Sequence, residues 1–165
     1  MTRFSKQGKI HFPKNKFFRP QRRSANIKET VIIEKCYCPN GHSLLDENSK
    51  FSDHPGIKVK VIRNGGDEGF LVLSPKFGDY SKMSIDITFK NGDLLEMFCP
   101  ECHVKIPIYS SCYICHNHML TLFTTKDNSY QHCVGVCQKV GCHNSKMVEN
   151  ERLISVIRSG INRNN

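Results

Sequence analysis

The chain of 165 residues has no tryptophan, and only 38% of it is hydrophobic. A core built from apolar burial alone is therefore expected to be thin. Nowhere is there a run of about 18 apolar residues, so no membrane-spanning helix is expected. The opening MTRFSKQGKIHFPKNKF lacks the apolar stretch of a secretory signal, which favours a reducing, cytoplasmic setting. Several enzyme signatures are missing as well. There is no H-E-x-x-H, no H-x-E with a downstream P-C-x-x-C, and no glycine-rich phosphate loop opening a helix. No catalytic residue and no small-molecule substrate is expected, and the chain does not read as an enzyme.

Acidic residues are absent from the first 28 positions. Residues 1–35 hold ten Lys/Arg against Glu29 and Glu34, and residues 36–165 are close to neutral. Pro13 and Pro20 interrupt residues 1–28, and Phe4, Phe12, Phe17 and Phe18 follow neither a helical nor a strand period. This stretch reads as a basic tail, disordered in isolation, ahead of a domain at residues 29–165. Arg3, Lys6, Lys9, Lys14, Lys16, Arg19, Arg22 and Arg23, interleaved with aromatics, suit phosphate contacts and base stacking. RNA or the ribosome is one class of partner. A protein complex that takes the tail as a peptide is another, a purely solubilising arm a third, and a mitochondrial transit peptide a weaker reading.

Beyond Thr30 the pattern is mainly β. Ile57, Val59 and Val61 alternate with Lys58 and Lys60, Asn64-Gly65-Gly66 supplies a hairpin turn, and Gly69–Leu73 reads as the return strand. Ile85, Ile87 and Phe89 alternate again, Asn91-Gly92 signals a second hairpin, and Leu94–Phe98 runs into Cys99. These pieces predict an antiparallel meander of about four strands. Met119–Thr125 and His132–Val136 predict two further strands. Ser145 as a cap, with Met147, Val148, Leu153, Ile154 and Ile157 on one face, predicts a short C-terminal helix.

What the chain does have is cysteine, nine in all, several of them in C-x-x-C pairs that in a reducing setting point to metal before disulfides. C-P-E-C-H-V-K-I-P-I-Y-S-S-C-Y-I-C places two such pairs nine residues apart. A two-residue gap lets one tight turn aim two sulfurs at one zinc ion. The segment resembles the short rubredoxin-like zinc ribbon through Cys99, Pro100, Cys102, Ile106, Pro107, Cys112 and Cys115. That resemblance implies a ribbon at about residues 97–118 whose four cysteines hold one zinc. His103 and His116 stand where the ribbon commonly has glycine.

A second site is expected from Cys38-Pro39-Asn40-Gly41-His42 and Cys137-Gln-Lys-Val-Gly-Cys142, with Cys38, His42, Cys137 and Cys142 as ligands, making two zinc ions per chain. Alternatives use Cys36 with Cys38, or Cys133, Cys137, Cys142 and His143 together. On the leading assignment Cys36 and Cys133 are left as core thiols, and His116 and His118 as exposed turn residues. The composite expectation is a structural-zinc module that binds a macromolecule through its tail. The competing expectations are a rubredoxin-like iron or thiol redox protein and an accessory subunit without its own activity.

Overall fold

In the computed structural model residues 30–64 and 66–149 are described, together with the backbone of 152–156. The basic tail at 1–28 and Ile157 lie outside the described residues.

Among the described residues there is no helix; the strands form two five-stranded antiparallel sheets joined by turns and irregular loops. The first sheet contains β1 (Leu45–Phe51), β2 (His54–Arg63), β3 (Glu68–Leu73), β4 (Lys82–Ile85) and β5 (Leu95–Phe98). The second contains β6 (Ile108–Ser111), β7 (His118–Phe123), β8 (His132–Cys137), β9 (Ser145–Glu149) and β10 (Arg152–Val156), joined in sequence as a meander.

The alternation around Ile57, Val59 and Val61 produces β2, whose buried residues face the core while Lys58 and Lys60 stay at its margin. The turn at Asn64 closes through the Arg63 carbonyl, which accepts from Gly66 N at 3.0 Å, and β3 returns alongside β2. Gly69 sits where β3 meets β4 and the following loop. A Cβ there would lie 2.6 Å from the Ile85 carbonyl oxygen and 2.7 Å from Ile87 Cβ. Gly69→Ala is expected to cost about 1–3 kcal/mol, measurable as a lowered urea midpoint with an unchanged slope.

The second expected hairpin is absent. Asn91-Gly92 does make a turn, with Gly92 at φ 96° and Asp93 N donating to the Lys90 carbonyl at 3.1 Å, but the strands on either side of it do not pair. β4 stops at Ile85 and pairs with β3, whereas β5 pairs with β2. The result is that β1 and β5 share one side of β2: Leu45 stands opposite Ile57, and Phe98 opposite Lys60. Both strands run antiparallel to β2, so β5 ends where β1 begins. This junction builds the first metal cluster.

The expected C-terminal helix is replaced by the β9–β10 ladder, in which Glu149 pairs with Arg152 and Met147 with Ile154. The apolar spacing of that segment fits both periods. β9 is decided by its neighbour, because pairing with β8 satisfies its backbone groups and buries Met147 to 6% exposure. Both sheets contribute to one apolar core, with Val59, Val61, Leu95 and Met97 from the first and Leu120, Leu122 and Val134 from the second.

Candidate metal centres

Four tight turns carry the eight expected ligands, and each contains one residue at positive φ: Gly41 (83°), His103 (58°), His116 (61°) and Gly141 (89°). In the first, Gly41 N donates to the Cys38 carbonyl at 2.9 Å and Cys38 N to the His42 carbonyl at 3.0 Å. In the second, His103 N donates to the Cys99 carbonyl at 3.0 Å, and Glu101 N lies 3.4 Å from Cys99 Sγ as a donor. The third repeats this with His116 N on the Cys112 carbonyl at 2.8 Å. In the fourth, Cys142 N donates to the Lys139 carbonyl at 3.1 Å. Gly41 and Gly141 lie between the two ligands of their turns, whereas His103 and His116 directly follow the second cysteine and lead the chain out of the turn. Histidine accepts the positive-φ conformation at a steric cost glycine does not have.

The structure groups the eight residues in two foursomes that differ from the sequence expectation. Cys38, His42, Cys99 and Cys102 form one cluster, and Cys112, Cys115, Cys137 and Cys142 the other, with ligand atoms in each within 4.8 Å of one another. The ribbon foursome of Cys99, Cys102, Cys112 and Cys115 is not brought together, and neither is Cys38 with Cys142. The reason is strand pairing. The Cys38–His42 turn precedes β1 and the Cys99–Cys102 turn follows β5, so both bud from the junction where those strands meet beside β2. The Cys112–Cys115 turn joins β6 to β7, and the Cys137–Cys142 turn joins β8 to β9. Met119 pairs with Cys137 and Ser111 with His118, which sets these two tips side by side at one end of the second sheet.

The spacing within each cluster fits a tetrahedral ion. With Zn–S near 2.3 Å and Zn–N near 2.0 Å, tetrahedral edges are about 3.8 Å for S···S and about 3.5 Å for S···N. In the first cluster Cys38 Sγ lies 3.8 Å from Cys102 Sγ and 3.6 Å from His42 Nδ1. The second has Cys112 Sγ 3.7 Å from Cys142 Sγ and Cys115 Sγ 3.4 Å from Cys137 Sγ. The donor sets, three sulfurs with one imidazole and four sulfurs, are those of closed structural sites, with no position left open for water.

Hydrogen-bond donors surround the sulfurs. The Val104 backbone N–H draws the Cys102 thiol down to about 6, with Asn40 assisting, its Nδ2 3.4 Å from that sulfur. Burial opposes ionisation at Cys112, yet the buried Asn144 amide, 3.2 Å from its Sγ, and the Cys115 and Ile114 N–H groups bring it to about 6. Burial keeps Cys137 raised and lifts Cys99 to about 11. Thiolates thus begin to form on one side of each cluster, and a cation would complete the deprotonation. His42 turns Nδ1 to the sulfurs while its Nε2 faces the Glu101 carboxylate, with Oε1 3.7 Å away. Asn144→Ala is expected to weaken metal binding at the second cluster roughly 10- to 100-fold, read by competition with a chromophoric chelator.

Cys36 and Cys133 stay outside both clusters. Each is buried, at 0% and 2% exposure. Burial, with nearby Cys38, pushes Cys36 up to about 12, and burial raises Cys133, whose Sγ donates to the Tyr130 carbonyl at 3.3 Å. His143 stacks on Tyr80 with ring centroids 4.4 Å apart. His116 and His118 are exposed. The basic residues Arg3 to Arg23 lie outside the described residues. Sequence spacing exposed all eight clustered residues but not Glu101 or Asn144, for which there is no spacing signal. No protein-family model, curated protein or solved structure matches this chain.

Proposed function

We propose that the chain is a β module held together by two structural zinc ions, one on Cys38, His42, Cys99 and Cys102 and one on Cys112, Cys115, Cys137 and Cys142, and that it attaches to RNA through its basic N-terminal segment. The metal reading rests on one observation: two closed four-donor sets, each with all its ligand atoms within 4.8 Å of one another. Zinc suits both sets, whereas rubredoxin-type iron takes four thiolates and suits only the second. Elemental analysis of protein purified under reducing conditions is expected to give close to two zinc ions per chain and no visible iron–thiolate absorption. One coloured iron per chain would support the redox alternative instead.

The partner reading rests on charge. The positive excess lies before Cys36, and the folded part becomes net negative once its thiolates are paired with zinc. Deleting residues 1–28 should leave metal content and the β circular dichroism spectrum unchanged. It should also reduce affinity for a single-stranded RNA oligomer and flatten its salt dependence, by roughly 0.7 in log–log slope for each phosphate no longer neutralised. Unchanged affinity, insensitive to salt, would remove the tail as an anchor.

A further inference from the structure

Between the two sheets lies a cavity of about 110 Å³, partly open to solvent, whose wall borders the second metal cluster at Cys137 and Cys142. Its floor is apolar and comes from both sheets: Leu71, Leu95 and Met97 from one, Leu122, Val134 and Val136 from the other. An apolar floor alone would hold any small hydrocarbon, much as an engineered cavity of similar size holds benzene.

The rim restricts the choice. Lys76, Lys82 and Lys139 line it, against a single carboxylate, Asp79. That carboxylate is already engaged within its own loop, accepting from Ser74 Oγ at 2.8 Å, Ser81 N at 3.0 Å and Ser81 Oγ at 2.7 Å. Lys82 and Lys139 have no ion-pair partner among the described residues. Ser145 Oγ, also in the wall, is buried with no hydrogen-bond partner among the described residues. A buried hydroxyl without a partner is uncommon, and it is a donor in reach of an incoming oxygen.

We propose that this inter-sheet cavity is a binding site for a small amphipathic carboxylate, whose hydrocarbon part enters between the sheets and whose carboxylate is held at the rim by Lys82 and Lys139. An apolar pocket with a few convergent polar groups is the usual form of a small-molecule site. The excess of unpaired cations selects an acid over an amine or an alcohol of the same length. The volume limits the buried part to a ring or a chain of about six carbons.

The test is a ¹H–¹⁵N correlation titration of the full, metal-loaded chain with hexanoate, hexylamine and 1-hexanol. Hexanoate is expected to shift the Leu122, Val134 and Val136 amides saturably, with hexylamine at least roughly tenfold weaker. Lys82→Met, at an exposed position where loss of fold is not expected, should weaken hexanoate roughly tenfold and leave hexanol unchanged. Val136→Phe should abolish binding of both by filling the cavity, and Leu71→Phe provides the same block from the other sheet if the first variant does not fold. Absence of saturable shifts up to the solubility limit of hexanoate would overturn the proposal. So would equal binding of acid and amine, or hexanoate binding that Lys82→Met leaves unchanged. The metal content, read separately, keeps a failure of the zinc reading distinguishable from a failure of this one.

Discussion

Cys99→Ser and Cys38→Ser are expected to lose the same zinc ion and keep the other. Both residues belong to the cluster at the β1–β5 junction, so removing either leaves three donors and an ion without its tetrahedron. Apparent structural zinc binding is on the order of 10 kcal/mol, and the net stability of a domain of this size is no larger. Each single variant is therefore expected to be severely destabilised, with β1 and β5 freed from each other. Combining the two should add little, because the ion is already gone. Cys38→Ser with Cys142→Ser should instead abolish both sites, since Cys142 belongs to the other cluster. Native mass spectrometry gives the counts: one zinc for either single variant and for Cys38→Ser/Cys99→Ser, none for Cys38→Ser/Cys142→Ser. Retention of one zinc in the last variant would mean that Cys38 and Cys142 share an ion after all.

Removal of both ions by a strong chelator under reducing conditions is expected to unfold the described β domain cooperatively. The apolar core is modest for the chain's length, and each cluster adds a clip to a junction otherwise held by strand pairing. The first ties the end of β5 to the start of β1, and the second ties the β6–β7 tip to the β8–β9 tip. Loss of these clips returns the loop-closure entropy of residues 43–98 and of residues 116–136 to the unfolded ensemble. The far-ultraviolet β signal should collapse as the ions are removed and return when zinc is restored. Acid should speed the release, because every ligand must be deprotonated to bind. A metal-free chain with an unchanged spectrum and unchanged urea midpoint would mean that the core suffices without the ions.

How far the sequence could be read depends on the distance over which each feature is specified. The ligands are local: Cys38 with His42, Cys99 with Cys102, Cys112 with Cys115 and Cys137 with Cys142 each sit in one turn, and their spacing alone identified them. Their grouping is not local. It follows from β5 leaving the Asn91-Gly92 turn to pair with β2 instead of β4, a choice made by strands more than thirty residues apart along the chain. The resemblance to a short ribbon favoured Cys99–Cys102 with Cys112–Cys115 because they are nearest in sequence. In the fold β6 carries Cys112 away to the second sheet. The segment at Ser145 failed for a related reason, since its apolar spacing fits both a helix and a strand, and the free edge of β8 decided the outcome. The histidines at His103 and His116, unusual in the sequence, do adopt the left-handed backbone that glycine would supply.

Replacing zinc with ¹¹³Cd and correlating each cadmium resonance with cysteine β protons reads the partition of ligands without any substitution. Two resonances are expected, one coupled to the β protons of Cys38, Cys99 and Cys102 and the other to those of Cys112, Cys115, Cys137 and Cys142. A single resonance coupled to both Cys102 and Cys112 would contradict this partition.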